Sequence, residues 1–187
     1  MHGVPALHTA RLSLRPLNLE DVSDVQASFP QWEVVKYLSQ VIPWPYPADG
    51  ALHYCRNVSL PLIERGDAWE WTIRLRTEPA SLIGAISVLK GENNRAFWLG
   101  VPWHGRGYMS EASRWATDFW FETLGNTVLR VPKATANLAS RRISEKQGMR
   151  VAAIVEKDYV CGRLPSEIWE ITAEEWRAWK RRLPPGQ

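Results

Sequence analysis

The stretch WHGRGYMSEA, residues 103–112, sets two glycines around an arginine directly before what reads as an amphipathic helix. A glycine-rich turn from strand to helix can aim several backbone N–H groups at one point, and the helix N-terminus adds the positive end of its dipole. Gly105 and Gly107 carry no Cβ that would hold a phosphate away, and His104 and Arg106 offer side-chain donors. The chemistry on offer is a pyrophosphate cradle. Taken alone, the stretch reads equally well as a tight turn. It is not a Walker loop, because no Gly-Lys-Ser/Thr follows. Nor is it a dinucleotide fingerprint: the third glycine is missing, and the strands before it form a meander rather than a βαβ unit. Further along, KATANLASRRISEKQGMR places an Asn-x-x-Ser pair, Asn137 and Ser140, at the mouth of a second strand-to-helix junction.

These junctions need elements to position them. Residues 11–17, RLSLRPL, alternate apolar and polar as a half-buried strand does. A helix follows, with Asn18 as N-cap and Leu19, Val22, Val25 and Phe29 at helical spacing. Residues 41–50, VIPWPYPADG, alternate prolines with aromatics and read as an extended loop presenting Trp44 and Tyr46. Residues 51–65 read as a helix stopped by Gly66, with Pro61 counting against its last turns. AWEWTIRL, SLIGAISVLK and NRAFWLGV form an antiparallel meander. The glycine stretch then opens a long helix whose Ala112, Trp115, Ala116, Phe119, Trp120 and Leu124 share one face, with Gly125 as its stop. TVLRVPKATA is a further strand, and NLASRRISEKQ a short helix between Asn137 and Gly148. RVAAIVEKDYV and PSEIWEITA are the last strands, turned at Cys161–Gly162, and EEWRAWKRR ends the chain as a helix.

The 187 residues fit one domain, and 45% hydrophobic against 23% charged residues is the balance of a chain with a real core. The net charge of +3 is spread along the chain, which suits an anionic small ligand and lacks the clustered patch of a nucleic-acid binder. Eleven tryptophans are more than a core of this size hides, so some are expected in a cleft or interface. Cys55 and Cys161 form no CxxC pair and no zinc spacing, so no metal is expected. No secretory signal and no long apolar run occur, and a soluble cytoplasmic protein is expected.

The segments TARLSLRPLNLEDV, FWLGVPWHGRGYMSEA, NLASRRISEKQGMR and EIWEITAEEW, in that order, resemble the GCN5-related N-acetyltransferase (GNAT) superfamily, and within it the ribosomal-protein N-terminal acetyltransferase branch. The likeness is weakest over residues 32–66, where that family varies its substrate-binding helices. It implies an α/β (α+β) fold in one domain over residues 1–187. A mixed, mostly antiparallel central sheet of six to seven strands is flanked by helices and splayed between the fourth and fifth strands. It also implies acetyl-CoA as cofactor. The family's pyrophosphate motif, Gln/Arg-x-x-Gly-x-Gly/Ala, falls on His104, Gly107 and Met109; only Gly107 matches, so the backbone of Gly105, Arg106, Gly107, Tyr108, Met109 and Ser110 is expected to carry the contact.

The implied reaction is attack of a neutral amine on the acetyl thioester, with a donor for the developing oxyanion and a proton for the leaving thiolate. By resemblance, Leu99, Gly100 and Val101 polarise the thioester carbonyl, with a β-bulge at Gly100, Asn137 binds the cofactor arm, and Ser140 is the general acid. The strand before the loop lacks the carboxylate often found there, leaving Glu70, Glu156 and Tyr159 as candidates for the base. An α-amine, with a pKa of about 8 against about 10.4 for lysine, needs less help from a base. That favours a protein N-terminus or another weakly basic small-molecule amine as acceptor. Trp44, Tyr46 and Trp71, with Trp32 behind them, are candidates for the acceptor wall. The alternatives are a non-catalytic acyl-CoA sensor or scaffold and, far behind, a tryptophan-lined binding module. Exposed tryptophans and strand edges are compatible with a homodimer; no membrane or nucleic-acid partner is expected.

Overall fold

The computed structural model describes residues 3–183. Five antiparallel strands run in sheet order β1 (Leu7–His8), β2 (Leu12–Pro16), β3 (Ala68–Leu75), β4 (Leu82–Leu89) and β5 (Arg95–Leu99). A second sheet of three holds β6 (Val128–Ala134) and β7 (Arg150–Tyr159) on either side of β8 (Gly162–Thr172). Every expected strand is present, and β1 is an addition. The meander forms because its strands alternate in phase: Trp71 lies opposite Ile86 and Ile86 opposite Phe97, while Glu70 lies opposite Ser87 and Ser87 opposite Ala96.

That alternation gives the sheet two working faces. Trp69, Trp71 and Ile73 lie under α5 (Tyr108–Asp118), where the Trp71 ring meets Trp115 and Phe119 edge-on at 4.9 and 5.1 Å. The same core takes in Leu129, Val131, Trp169 and Ile171 from the second sheet. Trp176 of α7 (Ala173–Lys180) joins it and donates to Asp118 at 2.9 Å. Arg74 and Glu70 point the other way. Arg74 pairs with Asp21 beside α1 (Val22–Ser28). Over Glu70 lies a helical rod made of α3 (Gly50–Tyr54) and α4 (Leu60–Arg65). A π turn at Cys55–Ser59 joins the two helices directly before Pro61, whose ring and missing N–H would break an unrelieved α ladder. The rod ends at Gly66 in left-handed conformation, as the sequence implies. Val25, Phe29, Val35, Ala51 and Leu82 form a second, smaller core here, and the short α2 (Trp32–Val35) lies in a stretch to which the sequence pattern assigns no element.

The two sheets part between β5 and β6, the fourth and fifth strands of the expected count. At one end they are joined: Asn94 N–H donates to Arg130 O, and Arg130 N–H to Asn94 Oδ1, both at 2.8 Å. Along β6, alternate residues turn their backbone polar groups to opposite neighbours. Thr135 N–H bonds β8 through Pro165 O, so Arg130, Pro132 and Ala134 face β5. Directly after the bonded Arg130, Pro132 has no N–H to offer. The ladder therefore stops there, and a slot opens beyond it.

Candidate active site

Backbone direction sets the first lip of the slot. Gly100 N–H donates to Ile83 O at 2.9 Å, so Ala96, Trp98 and Gly100 face β4. Phe97 and Leu99, in the opposite phase, turn N–H and C=O toward the slot. The pairing of β5 with β4 runs in unbroken register from Arg95 to Leu99. This corrects the expectation of a bulge at Gly100, whose N–H is engaged by β4. The opening comes from Pro132 across the slot.

The glycine stretch closes the entrance. Gly105 and Gly107 adopt φ of +74° and +79°, the left-handed region that glycine occupies without strain, and a Cβ on Gly105 would meet nothing within 4 Å. The N–H groups of Tyr108, Met109 and Ser110 open α5 and have no carbonyl one turn back to accept from them. The cradle is therefore made of backbone. Met109 turns its side chain into the main core, so its bulk stays clear of the loop. His104 folds back, its Nε2 2.7 Å from Leu99 O. Arg106 lies over the Trp103 ring at 5.5 Å.

Two residues outside the motif hold this loop. Arg11 donates to Arg106 O at 3.0 Å and to Glu111 Oε2 at 2.7 Å, and its guanidinium lies 4.7 Å from the Tyr108 ring centroid. Against a burial that would raise it, hydrogen bonds from Thr9 and Arg11 hold the Glu111 carboxyl below its ordinary value.

Behind the slot, α6 (Leu138–Lys146) begins at Asn137, whose Oδ1 accepts from Ser140 N–H at 3.2 Å. The cap uses Oδ1 and leaves the Asn137 amide N–H groups as donors. Ser140 is buried, and its Oγ accepts from Lys133 Nζ at 2.6 Å. Lys133 lies 5.0 Å from the Phe97 ring centroid, which places the pair beside the β5 lip.

Residues 11–150, which hold the splayed strands, the glycine loop and Ser140, match the Acetyltransferase (GNAT) domain family. The chain belongs to the GNAT acetyltransferase family. Acetyl-CoA is that family's acetyl donor, and the amide cradle and slot fit it. The chain is similar in structure to a ribosomal-protein-S5-alanine acetyltransferase from Vibrio fischeri, with a TM-score of 0.77 and 12% identity over 92% of this chain and 98% of that one. It is similar to a RimL ribosomal L7/L12 alpha-N-protein acetyltransferase solved with coenzyme A, at 0.73 and 15% over 90% and 97%. It also resembles a spermidine N-acetyltransferase from Vibrio cholerae solved with coenzyme A and spermine, at 0.74 and 15% over 90% and 99%. No curated protein matches by sequence.

The acetyltransferase's candidate bases lie in different places. Glu70 is buried on the face opposite α5, and its Oε2 accepts from Tyr54 Oη at 2.9 Å and Ser59 Oγ at 2.7 Å. Burial raises its pKa, and the two hydroxyls oppose the rise. Ser87 and Ala96, both small, lie in register between Glu70 and the slot. Glu156 is exposed on the edge strand β7. Tyr159 is buried, its hydroxyl 2.6 Å from Ser166 Oγ, and burial raises its pKa.

The four aromatics also divide. Trp32 and Trp44 are exposed and tilted together at 5.5 Å. Tyr46 packs edge-on against Phe29 at 5.1 Å within the second core. Trp71 is wholly buried under α5, so its ring is core rather than acceptor wall. Sequence reasoning misses Arg11, Glu111, Phe97, Pro132 and Lys133. For Lys133 a signal exists: it is in phase with Leu129 and Val131, the buried face of β6. Among the described residues no helix is long and apolar enough to cross a membrane, and no three ligand-type side chains gather to hold a metal.

Proposed function

We propose that this chain moves the acetyl group of acetyl-CoA to a primary amine, an α-amine of a protein N-terminus or a similarly weakly basic small amine. The observation that carries the reading is the slot between β5 and β6. It has free amides on one lip, the glycine cradle at its mouth and the Ser140 hydroxyl at its back. The donor supplies an activated acetyl carbonyl. Amides 105–110 hold its pyrophosphate, the Asn137 amide binds its arm, and the Phe97 and Leu99 N–H groups donate to the carbonyl oxygen as charge gathers there. Ser140 gives its hydroxyl proton to the departing sulfur. Glu70, the one buried carboxylate among the three candidates for the base, takes the amine's proton by way of the Ser87 side of the sheet. The Trp32–Trp44 pair forms an apolar platform for the acceptor.

An acceptor panel tests the reading. Thiol release from acetyl-CoA is followed with N-terminal peptides, lysine peptides blocked at the N-terminus, polyamines and aminoglycosides. At pH 7 the free-N-terminus peptide is expected to be acetylated faster than the lysine peptide, because more of its amine is neutral. Faster lysine turnover at that pH contradicts the choice of acceptor. Coenzyme A binding with no thiol release across the panel favours the sensor reading.

A further inference from the structure

We propose that Lys133 is the proton reservoir behind Ser140, passing a proton to the Ser140 oxygen as the Ser140 hydroxyl gives its own to the departing sulfur. The proposal rests on the reading of Ser140 as general acid. Lys133 acts through Ser140 and touches no reacting atom, so it is a positioning residue.

The geometry is that of a relay. Lys133 Nζ donates to Ser140 Oγ at 2.6 Å, and both side chains are buried. An ammonium donating to that oxygen turns the serine's own hydrogen away from β6 and into the slot. The surroundings explain why the proton is easily given up. From β5, Arg95 is buried and cationic, held by Thr117, Gln147 and the Ser113 carbonyl, with no carboxylate partner among the described residues. From β8, the cross-strand neighbour Glu167 turns its carboxylate to Arg141 at 2.8 Å and Trp169 at 2.9 Å. From α6, Arg141 is held by Glu167 and by Thr135 O. Among the described residues no carboxylate therefore balances Lys133. Burial lowers its pKa well below the ordinary lysine range, and the Arg95 charge lowers it further. That brings an acid ordinarily near 10.4 toward a thiol ordinarily near 8.5, where proton transfer is better matched.

The step balances. The carbon–sulfur bond breaks with its electron pair on sulfur, sulfur gains the serine proton, and Ser140 regains one from Lys133. The neutral Lys133 is recharged from water by the proton that the acceptor amine releases. The ammonium is the working form, so kcat falls as pH rises through the Lys133 pKa.

The chain's six lysines are Lys36, Lys90, Lys133, Lys146, Lys157 and Lys180. That number permits an NMR titration of 15N-lysine-labelled, unliganded protein, with Lys133 assigned from the Lys133→Met spectrum. Lys133 is expected to titrate lowest of the six. In turnover, kcat at saturating acetyl-CoA is expected to show an alkaline limb at the Lys133 value measured by NMR. Lys133→Met is expected to lose that limb and about tenfold in kcat at pH 7 while binding coenzyme A as the wild type does. Combined with Ser140→Ala it is expected to add nothing further, since the two act in series. Titration of Lys133 with the other lysines, an alkaline limb away from its value, or Lys133→Met at full kcat beside a slow Ser140→Ala overturns the reservoir. Full turnover in Ser140→Ala instead overturns the general acid on which it rests. Were Lys133→Met to fail to fold, Lys133→Arg supplies the assignment by the lysine signal it removes, and the wild-type match between the NMR value and the kinetic limb decides.

Discussion

Ser140 and Glu70 differ in how their surroundings tune them, and their variants should fail differently. Ser140 meets the slot at the start of α6, with its backbone fixed by Asn137 and its oxygen by Lys133. Ser140→Ala removes a proton donor and leaves the cap intact. Its kcat is expected to fall by about 100-fold with little change in coenzyme A affinity, read by steady-state kinetics and calorimetry. Glu70 is a carboxyl buried under two hydroxyls, and burial raises it above its ordinary 4.5. As a base it works ionised, so the acid limb of kcat/KM is expected above the ordinary carboxylate range. The same shift bears on stability. The folded state holds the Glu70 proton more tightly than the unfolded chain does. Its contribution is therefore complete below the unfolded value and is lost as pH rises through the folded one. Glu70→Gln keeps the hydrogen bonds without the buried charge. It is expected to melt higher than wild type at pH 8 and level with it at pH 4, while turnover falls by about 100-fold. A variant that keeps its activity removes Glu70 as the base.

The elements that were legible in the sequence are those whose period is complete within themselves. β3 runs over Ala68–Leu75, the stretch its alternation marks, and α5 begins beside the glycine that opens it and continues on its aromatic face. The junctions that hold the loop and Ser140 were legible because local residue types announce them; the roles proposed for both come from the family resemblance. What was not legible depends on partners distant in sequence. Glu111 reads as an ordinary first-turn acid, and Arg11, 100 residues away in sequence, meets it only because β2 and α5 pack together. Pro132 reads as a flaw in a strand until β6 is known to face β5 at that edge. Gly100 read as a bulge because glycine permits one, but its N–H completes the β4 ladder. β1 and α2, of two and four residues, are too short to show a period. Arg11 carries its own prediction: it ties the loop to the helix and offsets a carboxylate beside the cradle. Arg11→Met should raise the KM for acetyl-CoA by about 10-fold, near 1.4 kcal/mol, with kcat retained. Gly107→Ala, forced into left-handed backbone at about 1–2 kcal/mol, should act in the same direction.

At the scale of the whole molecule, the chain is two sheets held by one shared core, and among the described residues backbone hydrogen bonds join them only near Asn94 and Arg130. Trp176 and Lys180 of α7 both bond Asp118 of α5, tying the C-terminal end to the face that carries the loop. The face proposed for the acceptor is built separately, on the smaller core around Phe29 and Val35. Among the described residues no carboxylate pairs with Arg95 or Lys133 in the main body, a destabilising arrangement that burial alone does not repay. A ligand lying in the slot would contact β5, the start of α5 and the start of α6 together, bridging what the backbone leaves apart. Its binding energy then appears as stability of the entire fold. Coenzyme A at 100 times its dissociation constant adds about 2.7 kcal/mol to a native state that alone binds it. For a chain of this length that corresponds to a rise in melting temperature of about 5–10 °C. The melt should remain one transition, since the core spans both sheets. Without ligand Arg11→Met should melt close to wild type and Gly107→Ala about 2–8 °C lower, from its backbone strain, and each should shift less on adding the same coenzyme A concentration. A ligand that raised the melting temperature equally in wild type and both variants would be binding somewhere other than the glycine cradle.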